Sequence, residues 1–523
     1  MRTVIQSITC GRLTALYRME SETGVVELLL VPTGMETGIV RVDCAAEPLI
    51  QVHLSQDDAP AFFSGGRTMR GSPSTTAVHY VAQSVEHSVC ETCISTQLQD
   101  PRGYDYTHML RMFPDKAAAE IEVRFVNRSE KSVVLEMLSS FTLGCLSPFS
   151  SGLAPETLRI HRLRSTWSAE GRLCSQMAES LQLEPSWKCY SANCLRFGNV
   201  GSFPVRGYVP FCAVEDTEHG VTWAAAPTHG SSWQLELYRK DNGLSLSGGL
   251  ADREFGQWTK TVPPGGNFHT PKAVVTAVVG GVDKAAQALA ENTRRAIETR
   301  MPTHEVPMPI VFNEFCTTWG QPTERSILRQ IAALRGRGIG YYVIDAGWFD
   351  DNAFETAARL GKWQVSNTAF PHGIKPVVDS IHAAGMKAGI WFEFEIAGRD
   401  EPDCFNHIEW LLCLSGKPIT AGSRRFWDMR KPEVRDYLAE RVVMFLRKNG
   451  FDYMKVDYNE TIGIGCDSQD GAAPGEGLRE QIEASQAFFM QIRNELPDLV
   501  LEICASGGHR LCHSFLELSC MAS

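Results

Sequence analysis

Residues 324–345, ERSILRQIAALRGRGIGYYVID, place one helical period directly before one strand. Ile327, Ile331 and Leu334 recur at helical spacing, and Ile339 to Ile344 is mostly apolar, ending on Asp345. This predicts a helix over Glu324 to Leu334 and a strand over Ile339 to Asp345. Gly336, Gly338 and Gly340 imitate a phosphate-binding loop, but they precede the strand where the fingerprint requires them to follow one, so they read as turn glycines.

The same alternation repeats on both sides. Pro309 to Asn313 reads as a first strand, and a helix over Lys375 to Ala384 leads to a third, Lys387 to Glu393. Pro432 suits a first helical position and Gly450 a C-terminal cap, which frames another helix. Asp452 to Asp457 is a fourth strand, Leu478 to Leu496 a helix, and Leu499 to Cys504 a fifth strand. Successive βα units of this size predict a (β/α)8 barrel of the TIM type, with its chemistry at the C-terminal strand ends. Five units and the opening of a sixth strand near Cys520 fit before Ser523, so the expected barrel is incomplete.

Upstream the period changes to two. In Glu120 to Val126, Ile121, Val123 and Phe125 share a face, and Val25 to Leu30 and Val133 to Leu138 are further runs separated by turn residues. This predicts an N-terminal β-sandwich over residues 1–281. Val282 to Arg300 reads as a helix and Met301 to Pro309 as a connection, giving a linker over 282–308 and the barrel over 309–523.

The net charge of −11 carries no block of basic residues, which argues against nucleic acid or an anionic membrane surface as a partner. No apolar run reaches membrane-spanning length, and Met1 to Leu13 lacks a signal-peptide core. Sixteen scattered cysteines then fit reduced thiols, and cytoplasmic residence is expected. Cys90 and Cys93 have CxxC spacing without a second pair to complete a zinc site, and read as ordinary thiols. No metalloprotease, Walker or serine-hydrolase motif occurs, so neither metal nor cofactor is expected.

Strand ends carry the candidates. Lys455 and Asp457 are two apart on the fourth strand and so share a side, where the lysine could hold the aspartate ionised as a nucleophile. A structural ion pair is the alternative. Asp345 precedes Ala346-Gly347-Trp348, an acid beside an indole, a pairing that suits sugar hydroxyls and the apolar face of a hexose. Glu393 and Glu395, flanking Phe394, are at face value another paired-carboxylate candidate, and read more readily as salt-bridged structural acids. Ala505-Ser506-Gly507-Gly508-His509-Arg510 follows the fifth strand and could close around a sugar ring or an anion, or be a tight connection.

Together, Ile344-Asp345-Ala346-Gly347-Trp348, Gly389-Ile390-Trp391-Phe392-Glu393, Pro432 to Tyr437, Lys455-Val456-Asp457-Tyr458-Asn459 and Cys504-Ala505-Ser506-Gly507-Gly508 resemble glycoside hydrolase family 36, the melibiase-type α-galactosidases. The resemblance covers residues 100 to 523. It implies a β-supersandwich before the barrel and retaining hydrolysis of terminal α-galactosides from small oligosaccharides. By motif position it makes Asp457 the nucleophile and sets Asp345, Trp348, Trp391, Lys455, Asn459, Cys504, Gly507 and Gly508 around the sugar. Family analogy also implies a homo-oligomer.

Three departures qualify the resemblance. The family usually has two adjacent aspartates where this chain has Asp345-Ala346, which weakens galactose specificity. It leaves open an α-N-acetylgalactosaminidase or a galactosyl-transferring relative. A family arginine is out of register near Gly422, with Arg424 and Arg425 close by. The acid/base aspartate is expected shortly after a strand that opens near Met521, beyond Ser523. The chain is therefore expected to be a fragment lacking its acid/base, or else a non-catalytic carbohydrate-binding protein.

Overall fold

The computed structural model describes the chain apart from residues 1, 41–44, 59–67, 151–153, 185–192, 241–242, 303–308, 350–356 and 403–405. It divides into two compact units, one of Met1–Val200 with Pro204–Arg295 and one of Gly201–Phe203 with Ala296–Ser523.

The first unit is a β-sandwich. A ten-stranded and a four-stranded sheet are joined by two three-stranded ones, every pair antiparallel. Alternation explains the layering. In the strand Ala118–Asn127, Ile121, Val123 and Phe125 lie opposite Leu110, His108 and Tyr106 and are all buried. The helix Val282–Arg300 follows the last sandwich strand and buries Ala285, Ala288 and Leu289. The expected connection after it lies largely outside the described residues.

The second unit carries six parallel strands in sequential order: Ile310–Asn313, Ile339–Ile344, Lys387–Phe392, Tyr453–Val456, Val500–Ile503 and Met521–Ala522. Helices Glu324–Leu334, Lys375–Ala383 and Pro474–Glu495 lie between them. The helix framed by Pro432 and Gly450 is present too, but it widens to a π-helical turn over Ala439–Met444. Gly450 closes it in the left-handed conformation.

Strand parity places the site. Tyr341, Val343, Tyr453 and Val500 form one buried cluster, so this parity faces the barrel interior. Gly389 fits that layer because a Cβ there would lie 2.8 Å from Val343 and 3.0 Å from Tyr453. Further along each strand, the same parity gives Asp345, Trp391, Lys455 and Cys504, and Asp457 follows two beyond Lys455. The interior apolar layer therefore continues directly into a polar one at the strand ends.

Candidate active site

Asp457 is nearly buried, and its carboxylate is held by fixed donors. Oδ1 accepts the backbone amides of Tyr458 (2.9 Å) and Ser506 (3.0 Å), and Oδ2 accepts the Trp391 indole N–H (3.1 Å). Burial pushes its pKa up. The Lys455 charge, the Asn459 side chain, the Ser506 amide and the Trp391 indole together outweigh that and leave Asp457 below its ordinary value.

Lys455 and Asp345 form the adjoining pair. Burial disfavours the ammonium, but Asp345 and its other acidic neighbours prevail and its pKa is raised, so it stays charged. Asp345 Oδ2 accepts Lys455 Nζ (3.2 Å) and Asn313 Nδ2 (2.6 Å), while Oδ1 accepts the Ala346 amide (2.9 Å). The Asp345 amide in turn donates to Glu314 (3.0 Å), whose carboxyl burial pushes up to about 7. Neither Asn313 nor Glu314 was singled out from sequence. Asn313 ends the first strand, so the rule that marked Asp345 also reaches it.

Cys504 sits at the end of the fifth strand. Burial, reinforced by the Asp457 charge, pushes its thiol up to about 12, so it is a neutral group at physiological pH. Its sulfur accepts the Gly507 amide (3.4 Å). Ser506 and Gly507 both adopt left-handed backbone and Gly508 bridges back to Ala505, a turn that aims the Ser506 amide at Asp457. The loop thus serves the carboxylate directly. The Asn459 amide donates to Glu393 (2.7 Å).

Trp348 stands apart from the other sugar-contact candidates. It is fully buried, and its indole N–H donates to the Trp391 carbonyl (2.9 Å). Its ring packs on Phe392 and Phe445, in the layer between strands and helices. The cause is local. Gly347 turns at φ +99, and a Cβ there would lie 2.1 Å from the Gly320 carbonyl, so the chain makes a tight turn immediately before the indole. Trp348 therefore does not offer a face to a sugar; it supports Trp391.

Glu393 and Glu395 are both paired, to Arg424 and Arg510 respectively. Arg424 Nε reaches both Glu393 oxygens, at 3.1 and 3.3 Å. Cys90 and Cys93 are free thiols, and no cluster of metal-ligating side chains occurs among the described residues. No described helix is long and apolar enough to cross a membrane.

Comparison with known proteins fits this geometry. Residues 267–520 match the Melibiase family model. Alpha-galactosidase Mel36A of Lactobacillus acidophilus is 22% identical over 440 residues, covering 81% of this chain and 56% of its own length. Alpha-galactosidase 2 of Pediococcus pentosaceus is 27% identical over 47% of this chain and 34% of its own length. The chain thus spans between about a third and just over half of these curated relatives. A variant of the GH36 alpha-galactosidase AgaA of Geobacillus stearothermophilus, solved with stachyose, superposes with a TM-score of 0.80 at 17% identity, over 99% of this chain and 74% of that one. That likeness fixes the fold as an N-terminal β-sandwich followed by a TIM-type domain. Over residues 267–520 the chain is similar to the melibiase family, and its fold is that of the GH36 alpha-galactosidase structure it superposes on.

Proposed function

We propose that this chain supplies the nucleophile and the sugar cradle of a retaining α-galactosidase acting on terminal α-galactosides of small oligosaccharides. The observation that carries the reading is the Asp457 carboxylate, nearly buried yet kept ionised by Lys455, Trp391 and two backbone amides. In the first step Asp457 attacks the anomeric carbon, the bond to the leaving oxygen breaks, and a glycosyl ester forms; water then cleaves the ester. Asp345, held by Lys455 and Asn313, is placed to accept ring hydroxyls, and Trp391 to present an apolar face. Such a mechanism also needs a proton donor about 5–5.5 Å from the nucleophile. Glu393 and Glu395, committed to arginines, are not assigned that role. The melibiase match supports the reaction class, and the scattered thiols fit a reducing, cytoplasmic setting. A homo-oligomer is proposed by family analogy.

Ala346 favours keeping a second reading, α-N-acetylgalactosaminide hydrolysis or galactosyl transfer, because a methyl group stands beside Asp345 where a second carboxylate would read hydroxyls. Rates on 4-nitrophenyl α-glycosides separate these readings. The α-galactoside is expected to react fastest, and Ala346→Asp to sharpen that preference by about 1–3 kcal/mol, the worth of a hydrogen bond to a charged group. Unchanged relative rates would remove position 346 from the sugar site. Binding of 1-deoxygalactonojirimycin with no hydrolysis of any glycoside would favour a carbohydrate-binding protein instead.

A further inference from the structure

Three residues of the barrel unit come from a distant part of the chain. Gly201–Phe203 groups with the barrel, although Val200 before it and Pro204 after it belong to the sandwich. Ser202 is fully buried, and its hydroxyl oxygen accepts the Ile462 amide (2.9 Å) and the Tyr458 hydroxyl (3.0 Å). The Phe203 ring stacks on His509 at 4.6 Å and meets Tyr458 edge-on at 5.8 Å. Gly201, at φ +115, permits the approach, since a Cβ there would lie 2.7 Å from the Thr461 hydroxyl and 3.1 Å from the Gly463 carbonyl.

The two partners of this segment sit on the two loops that matter most to Asp457. Tyr458 supplies one amide to Oδ1, and Ser506, three residues before His509, supplies the other. A further contact ties the loops together: the Arg510 guanidinium lies 3.6 Å over the Tyr458 ring while pairing with Glu395. The common effect of these contacts is on where two backbone N–H groups point.

We propose that Gly201–Phe203 is a positioning clamp that fixes the Tyr458–Ile462 and Ser506–Arg510 loops together, and so holds both amide donors on the nucleophile carboxylate. The proposal rests on the reading of Asp457 as nucleophile for its catalytic consequence, but not for the clamp itself. An amide aimed at a carboxylate stabilises the ionised form only while the geometry holds. Loosening the loops should therefore weaken Asp457 as a nucleophile. The charged and titratable neighbours that set its environment are otherwise unchanged: Lys455 on its own strand, Asp345 on the second strand, Glu393 with Arg424 on the third, and Cys504 on the fifth.

The test uses Ser202→Ala, which removes the hydroxyl at almost constant volume, and Phe203→Leu, which removes the ring stack but keeps an apolar side chain. Amide hydrogen exchange over residues 458–462 and 506–510 is read first, and needs no activity. Both variants are expected to exchange at least about tenfold faster in both loops, with the remaining barrel peptides unchanged. The acid limb of kcat/KM on 4-nitrophenyl α-galactoside is read next, and should move up by about one pH unit with a larger fall in kcat than change in KM. Unchanged exchange in folded variants overturns the clamp. Faster exchange with an unmoved acid limb overturns its link to Asp457. If the unaltered chain neither hydrolyses the glycoside nor binds 1-deoxygalactonojirimycin, the galactosidase reading fails, while the exchange result still decides the clamp.

Discussion

The ends of the third and fourth barrel strands each bury a carboxylate, and the two behave in opposite ways. At the third, burial pushes Glu393 up to about 7 despite Arg424, with the Asp457 charge adding to the rise. At the fourth, burial acts in the same direction on Asp457, yet the outcome is a pKa below the ordinary value. Glu393 accepts the Arg424 guanidinium and the Asn459 backbone amide, with the Asn459 side chain also favouring its charged form. Asp457 faces Lys455, exposed to nearly the same extent as Arg424, together with an indole N–H and two backbone amides. Depth is shared; what separates them is the neighbouring charge, since Glu393 also feels the Asp457 carboxylate whereas the charge facing Asp457 is that of Lys455.

The comparison breaks most visibly at Lys455. Lys455→Met keeps the stem and removes the charge, so Asp457 loses the largest effect opposing its burial. Its pKa should rise. The acid limb of kcat/KM should climb with it, and kcat should fall by about 10²-fold. An acid limb that stays in place would mean the amides alone keep Asp457 ionised.

A smaller effect is expected at Glu393, and its sign is opposite. Glu393 has a folded pKa of about 7 against an ordinary 4.5, so folding takes up a proton between those values. Its contribution to stability is fully present below about 4.5 and is lost as pH rises to about 7. Asp457, with a lowered pKa, contributes stability above its ordinary 3.8 that is lost as pH falls through its folded value. Glu393→Gln should flatten the fall in Tm between about pH 4.5 and 7. It should cost about 1–2 kcal/mol, less than the ~3–5 kcal/mol for a fully buried pair, because solvent reaches Arg424. An unchanged Tm profile would place the proton elsewhere.

Much of this was readable along the chain. The helices Val282–Arg300 and Glu324–Leu334 and the strand Val133–Leu138 coincide with the periods seen in sequence, because each has an uninterrupted pattern and clear stop residues. The cluster of Asp345, Trp391, Lys455, Asp457 and Cys504 followed from strand parity and motif position together. What failed or was missed depends on tertiary direction. Trp348 was expected to face the sugar, but the chain turns tightly at Gly347 just before it. The π-helical turn within Pro432–Asn449 leaves no mark in a pattern whose apolar residues serve either spacing. Ser202 lies 256 residues from Tyr458, in a stretch with strand-and-turn composition, and nothing local connects it to the barrel.

The central claim is that Asp457 is the attacking carboxylate, and covalent trapping tests it most directly. With 5-fluoro-α-D-galactosyl fluoride the leaving group is fluoride, which departs without a proton donor, so the first step depends on the nucleophile and cradle alone. Incubation of the chain, proteolysis and mass spectrometry should find one fluorogalactosyl ester, on the peptide containing Asp457. Asp457→Asn, which keeps shape but cannot form that ester, should remain unlabelled. A label on Glu393, Glu395 or Asp345, or labelling that persists in Asp457→Asn, would contradict the account.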